Sequence, residues 1–200
     1  VVRAALDDAD PIPPWESASS MGRIPTDPVI SAELQDAVYR LARHAGTLTE
    51  DWYLTMRDAT GVTPQQWVEV IEVAMSVASV LRFAQLAGLE RPEFPAALNG
   101  EPSRQDQPSK PAKHHWVPVV HLEDMTPELA PFYEGLPAVA PVIRALSSVP
   151  AAMDTLATLS SAQYIPTREM VDLNWSRGTL SRRQIEFVAG RLSALRECFY

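Results

Sequence analysis

At 200 residues and 46% hydrophobic content, the chain has material for one medium domain or two small ones with a buried core of ordinary size. A net charge of -8 and a pI near 5.0 argue against nucleic acid as a partner, because phosphate binding draws its affinity from clustered Lys and Arg. No apolar run approaches the roughly 20 residues that span a bilayer, and Val1 to Asp10 is acidic where a secretory leader is basic and then apolar, so no membrane contact and a cytoplasmic location are expected.

From the start, residues 10–28 carry Pro11, Pro13, Pro14, Pro25 and Pro28, too many for regular helix or central strand, and an irregular lead-in is expected there. This stretch lacks a clean Pro-x-x-Pro repeat flanked by basic residues. Leu34, Val38, Leu41 and Ala45 then fall at helical spacing, with Ser31 as N-cap and Gly46 as stop. A short helix follows from Thr49 to about Ala59. The clearest element runs from Pro64 to Ala87, where Trp67, Val70, Ile71, Ala74, Val77, Leu81 and Ala84 make one stripe. Thr63 and Gln66 have capping-box spacing, Pro64 takes the first helical position, and Gly88 ends the helix.

Residues 99–115 gather Gly, Pro, Ser, Gln and Lys with almost no apolar side chains, the signature of a flexible linker. Val117 to Val120 reads as a brief extended piece, and Thr126-Pro127 opens a short helix carrying Phe132 and Tyr133. Helical segments over Ala138 to Leu146 and Ala151 to Gln163 come next. The last helix begins after Gly178-Thr179-Leu180 with Ser181 and Gln184 as a second capping box, and Ile185, Val188, Leu192 and Leu195 form its expected buried stripe. Sustained period-two alternation is absent, so the expected fold class is all-α.

Two residues of this last segment bear on chemistry. Glu186 and Cys198 stand twelve residues apart, a little over three helical turns. Glu186 alone reads first as a solvated carboxylate complementing the helix dipole, and Cys198 alone as a small buried hydrophobe. Cys198 is the single cysteine, which excludes an internal disulfide or a cysteine-only metal site among these residues. His114 and His115 adjoin the polar stretch, and like His44 and His121 they read as surface or helix-end residues, so no metal and no cofactor are expected. Trp52, Trp67, Trp116 and Trp175 read as core or interface anchors.

The segment Glu186-Phe-Val-Ala-Gly-Arg-Leu-Ser-Ala-Leu-Arg-Glu-Cys198-Phe-Tyr200 resembles the catalytic segment of the AhpD-like (carboxymuconolactone decarboxylase) family, where a Glu, an Arg-x-Ser-x-Leu core and a Cys-x-x-Cys follow in this order. The resemblance implies that Cys198 is the first redox cysteine and Glu186 the proton-relay carboxylate, with Arg191, Ser193 and Leu195 in the intervening pattern. The family's second cysteine would follow Tyr200 directly, and a relay His would follow four residues later. Such a pair gains thiolate character, attacks a peroxide or disulfide, and closes its own disulfide.

More broadly, residues 116–200 resemble the N-terminal half of such a domain and residues 1–98 the C-terminal half of another, joined by the linker at 99–115. That order is expected of the middle of a tandem two-domain protein that starts after one redox motif and ends inside the next. A UGA selenocysteine codon after Tyr200, an ordinary break and a genuine stop each fit that expectation. The halves either pack on each other as a permuted single domain or stay apart. The implied function is a thiol or selenol oxidoreductase, with peroxidase or antioxidant activity, that reduces a small peroxide or disulfide, draws on a thiol electron donor, and works as a homo-oligomer. The alternatives are a decarboxylase-type or lactone-processing enzyme, which lacks paired thiols, and a non-enzymatic helical scaffold or interaction domain.

Overall fold

Local signals decide where the helices begin. Ser31, Thr49 and Thr63 each accept a hydrogen bond from the backbone N–H three residues on, and Thr63 and Gln66 complete a reciprocal capping box. In the computed structural model, residues 1–12, 18–96, 106–134 and 140–195 are described. They are mostly helical: α1 (Val2–Asp7), α2 (Ala32–His44), α3 (Glu50–Thr60), α4 (Pro64–Leu86), α5 (Ala130–Tyr133), α6 (Pro141–Arg144), α7 (Pro150–Gln163) and α8 (Arg182–Leu195). Two strands of two residues each, β1 (Ser176–Arg177) and β2 (Leu180–Ser181), pair antiparallel just before α8. Gly178 turns between them at φ 57°, a left-handed conformation that costs an L side chain about 1–2 kcal/mol and glycine little.

The helix starts agree with the capping residues, and α4 ends as Gly88 takes φ 65°. Helix α1 and the two-residue hairpin carry no signal that the sequence patterns register. Between α1 and α2 the described residues hold no regular helix or strand, as the prolines require; residues 13–17 lie outside the described residues.

The main core draws on both ends of the chain. Ala37, Tyr53, Met56, Trp67 and Val68 from α2, α3 and α4 pack with Val117, Val120, Leu129, Leu146, Val149, Ala152 and Met153 from the second half. Trp67 stands 6.0 Å from Trp52 and 6.3 Å from Tyr53, and Tyr53 stacks on Trp116 at 6.3 Å. Helix α7 lies along α4, tied at one end by a hydrogen bond from Ser79 to Gln163. A smaller core seats α1 on α2 through Ala5, Ala18 and Tyr39.

Burial on α2 departs from the expected stripe. Leu34, Val38 and Leu41 are half-buried and Ala45 is exposed, while Ala37 and Tyr39 are fully buried. Because α2 is covered on one side by the main core and on the other by α1, the residues between its flanks are the ones enclosed. On α4, Val68 is fully buried although it lies off the expected stripe, for the same reason.

The polar stretch is not free throughout. Residues 97–105 lie outside the described residues, but from residue 106 onward the backbone is held: Gln107 donates to the Ser148 carbonyl at 2.8 Å, and Lys110 and Val119 exchange both backbone bonds at 2.9 Å. Lys110 also reaches the Asp124 carboxylate at 2.6 Å. No helix among the described residues is long and apolar enough to cross a membrane.

Candidate functional site

The hairpin and two arginines place the start of α8 against the end of α7. Arg177 donates to the carbonyls of Ser161, Ala162 and Tyr164, satisfying the C-terminal turn of α7 with a cation where the helix dipole favours one. Arg182, buried at the start of α8, donates to the carbonyls of Glu169 (3.1 Å), Met170 (2.9 Å) and Asp172 (3.2 Å), gathering the loop that follows α7. Ser181 and Gln184 form the expected capping pair, the Ser181 N–H donating to Gln184 Oε1 at 2.9 Å and the Gln184 N–H to Ser181 Oγ at 3.4 Å.

Glu186 sits one turn into α8 from Arg182 and takes a donor on each carboxylate oxygen: Arg182 Nε at 2.7 Å on Oε1 and the Tyr164 hydroxyl at 2.8 Å on Oε2. It is 43% exposed, so water reaches it as well. The simple picture of a carboxylate held only by solvent and the helix dipole does not describe it. Burial first, and then the hydrogen bond and charge of Glu186, push the Tyr164 phenol up to about 12, with Arg182 acting weakly in the opposite direction. At neutral pH Tyr164 is therefore a hydrogen-bond donor to Glu186, not a competing anion.

Beside this pair lies a cavity of about 570 Å³, within the usual size range of small-molecule sites. Its wall is chiefly apolar, with Phe132, Ile143, Met153, Leu156 and Met170. The polar residues are few: Ser160, Tyr164, Thr167 and Ser193. Helix α8 contributes Ala189 and Ser193, which follow Glu186 at the i+3 and i+7 positions and so share its side of the helix. The arrangement holds a carboxylate between two fixed donors, one of which, Tyr164, also lines the apolar cavity, while the carboxylate itself stays open to water.

Cys198 lies outside the described residues. Glu186 is brought to a partner, Tyr164, that the sequence reading did not single out. The sequence reading did not name Arg182, although its i,i+4 spacing to Glu186 is a signal that could have found it; Tyr164 and Arg177 leave none, because they meet α8 across a loop whose path no spacing encodes.

The expected buried stripe of α8 is overturned. Ile185 is half-buried, but Val188, Leu192 and Leu195 are 65%, 57% and 63% exposed, and Phe187 is 77% exposed. The guanidinium of Arg182 and the Glu186–Tyr164 bond turn a different face of the helix inward, so Ala189 and Ser193 face the protein instead. The histidines do not assemble: His115 bridges the carbonyls of Lys113 and Pro141, and His121 contacts the Pro111 carbonyl and Glu123. Among the described residues no three His, Cys, Asp or Glu side chains are placed to hold a metal ion. Comparison with family models, with curated proteins and with solved structures finds no match for this chain.

Proposed function

We propose that the chain is a thiol oxidoreductase with an AhpD-like helical architecture, in which Cys198 carries the redox sulfur and Glu186, supported by Tyr164, moves the proton. The observation that supports this reading is the Tyr164–Glu186–Arg182 chain, in which Tyr164 lines an apolar cavity and Glu186 and Arg182 belong to the helix that leads in sequence to Cys198. Arg182 and Tyr164 hold the carboxylate in one orientation, which a relay needs and a merely solvating surface Glu does not.

In the proposed step, the Cys198 thiolate attacks the distal oxygen of a small peroxide. The O–O bond breaks, an S–O bond forms, and the leaving oxygen takes its proton through Glu186. The resulting sulfenic acid condenses with a donor thiol and releases water; a second donor thiol then displaces the mixed disulfide and returns Cys198 to its thiol form. Two electrons pass from the donor thiols to the peroxide. A disulfide substrate would enter at the exchange step instead. Chemistry of this kind belongs in a reducing compartment, and the cytoplasm is the assignment that goes with it.

The test is sulfenate trapping at Cys198 with dimedone, read by mass spectrometry, alongside thiol-dependent consumption of hydrogen peroxide. Rapid trapping in the wild type, slowed at least about tenfold in Glu186→Gln, supports the relay. A Cys198 inert to peroxide and to thiol titration in the folded protein would sink the redox reading and leave the helical interaction domain as the better account.

A further inference from the structure

Two apolar surfaces have no partner among the described residues. One is the outer side of α8, where Val188, Leu192 and Leu195 recur at i, i+4 and i+7 with more than half their surface in water. The other is a groove of about 620 Å³ along α2 and α4, walled by Ile30, Leu34, Val38, Val70 and Val73, with Glu69 at its edge. Val73 is 54% exposed. Folded chains rarely leave such apolar surfaces open to water.

Charge says what fills the groove. Although the chain as a whole is acidic, α8 carries Arg183 and Arg191 on its solvent side, and neither has an ion-pair partner among the described residues. On a helical wheel Arg191 falls between Phe187 and the Val188–Leu192–Leu195 stripe. At the groove, the Glu69 carboxyl is raised above its ordinary range by burial and by the nearby carboxylates of Asp106 and Glu72, with no offsetting cation among the described residues. An arginine brought to that edge would relieve the repulsion.

The lengths are of the same order: the α8 stripe from Val188 to Leu195 spans about 10 Å, and the α4 wall of the groove, from Gln66 to Ala74, about 12 Å.

We propose that α8 of one copy docks its outer face in the α2/α4 groove of a second copy, with Arg191 beside Glu69. When the two copies exchange helices about a two-fold axis, both seats fill and the assembly closes as a dimer. Ala189 and Ser193 stay turned to their own cavity and Glu186 to Tyr164, so docking and the candidate site use different faces of one helix. This inference stands whether or not the redox reading does.

The experiment is sedimentation equilibrium of the full chain and of three variants, with circular dichroism as the check on folding. The wild type is expected to be dimeric. Leu192→Glu is expected to be monomeric with unchanged helicity. Arg191→Glu and Glu69→Arg each set like charges together at both seats and are expected to weaken the dimer about tenfold or more. Mixed in equal amounts, those two single variants recover one opposite-charge pair at each seat, and a mixed dimer is expected, an outcome that neither misfolding nor general charge repulsion produces. A wild type that stays monomeric at its highest soluble concentration overturns the proposal, as does a dimer indifferent to Leu192→Glu, or a mixture of the charge variants no tighter than either alone.

Discussion

The Tyr164 hydroxyl donates to Glu186 Oε2 at 2.8 Å, joining the last turn region of α7 to the second turn of α8 across 22 residues of chain. Removing that donor with Tyr164→Phe leaves Glu186 with Arg182 alone. The expected loss in stability is about 1 kcal/mol, the net worth of one hydrogen bond to a charged group that water can partly replace. If Glu186 relays a proton, the same variant slows sulfenate formation at Cys198 by more than that small loss explains. Chemical unfolding and dimedone trapping, run side by side, separate the two effects.

Tyr164 also gives a spectroscopic handle. Its phenol is raised to about 12 from an ordinary 10.0 by burial and by Glu186. Because the folded value exceeds the unfolded one, the stabilisation is fully present below about pH 10 and is lost as pH rises through about 12. A phenolate absorbance titration of the wild type should contain a late step near pH 12 that is missing in Tyr164→Phe. In Glu186→Gln the step should move to lower pH, since the negative charge that opposes ionisation has gone. A Tyr164→Phe variant whose titration keeps the late step would contradict the observed bond.

Arg182 is the buried charge on which this arrangement turns. It spends its donors on three backbone carbonyls and the Glu186 carboxylate. Arg182→Ala orphans those carbonyls and releases one side of Glu186; with Glu186 partly in water, the expected cost is about 2 kcal/mol. Arg182→Lys keeps the charge but has no planar fork to reach three carbonyls, and it should recover less than half of the loss. Hydrogen exchange should show the opening confined to residues 167–195. Protection lost evenly over α2 and α4 as well would mean that Arg182 is not a local tie.

Much of the fold was legible because its signals are local. The Thr63–Gln66 capping box, Pro64 at the first position and Gly88 at the end act within one turn, and α4 runs between them as expected. What the sequence did not carry is which side of a helix another element covers. On α8 the apolar spacing of Val188, Leu192 and Leu195 is strong, yet the buried charge of Arg182 and the bond to Tyr164 orient the helix the other way. Glu186 was readable as a candidate from its place in the motif, whereas Tyr164 reaches it through a loop shape set by the Arg177 and Arg182 contacts. Tertiary hydrogen bonds of that kind leave no period in the sequence.

Acid should loosen the N-terminal end before the main core. Asp8 accepts from the Tyr39 hydroxyl, which does most to lower its carboxyl, and also from the Asp10 N–H and Arg23, against the opposing effect of burial. Asp36 is lowered as well: burial works to raise it, and donation from Ser20, Arg40 and Ser19 outweighs that. Both folded values lie below the ordinary 3.8, so their stabilisation is present above that pH and is lost as the pH falls through the lowered values. These two groups tie α1 and the residues before α2 to α2, and amides of residues 2–24 should gain exchange ahead of α4 and α7. Asp8→Asn should reduce the acid dependence while lowering stability at neutral pH. A uniform acid transition unaffected by that change would locate the sensitive carboxylates elsewhere.

Met153 tests whether the two parts of the chain unfold as one. It is 2% exposed, sits on α7, and belongs to the same core as Trp67 and Val68 of α4. It also lines the cavity below Tyr164 and receives a long contact from the Tyr133 hydroxyl at 3.8 Å. Met153→Ala removes a thioether from a packed position, and the expected cost is roughly 2 to 5 kcal/mol, the range depending on how far the site collapses. In a background carrying Trp116→Phe and Trp175→Phe the remaining tryptophans report from the first half while the Met153 substitution is in the second, so tryptophan fluorescence and far-UV circular dichroism should shift together to lower denaturant by the same amount. If the fluorescence transition stays where it is while part of the dichroism moves, the shared core contributes little, and residues 1–96 stand as a unit of their own.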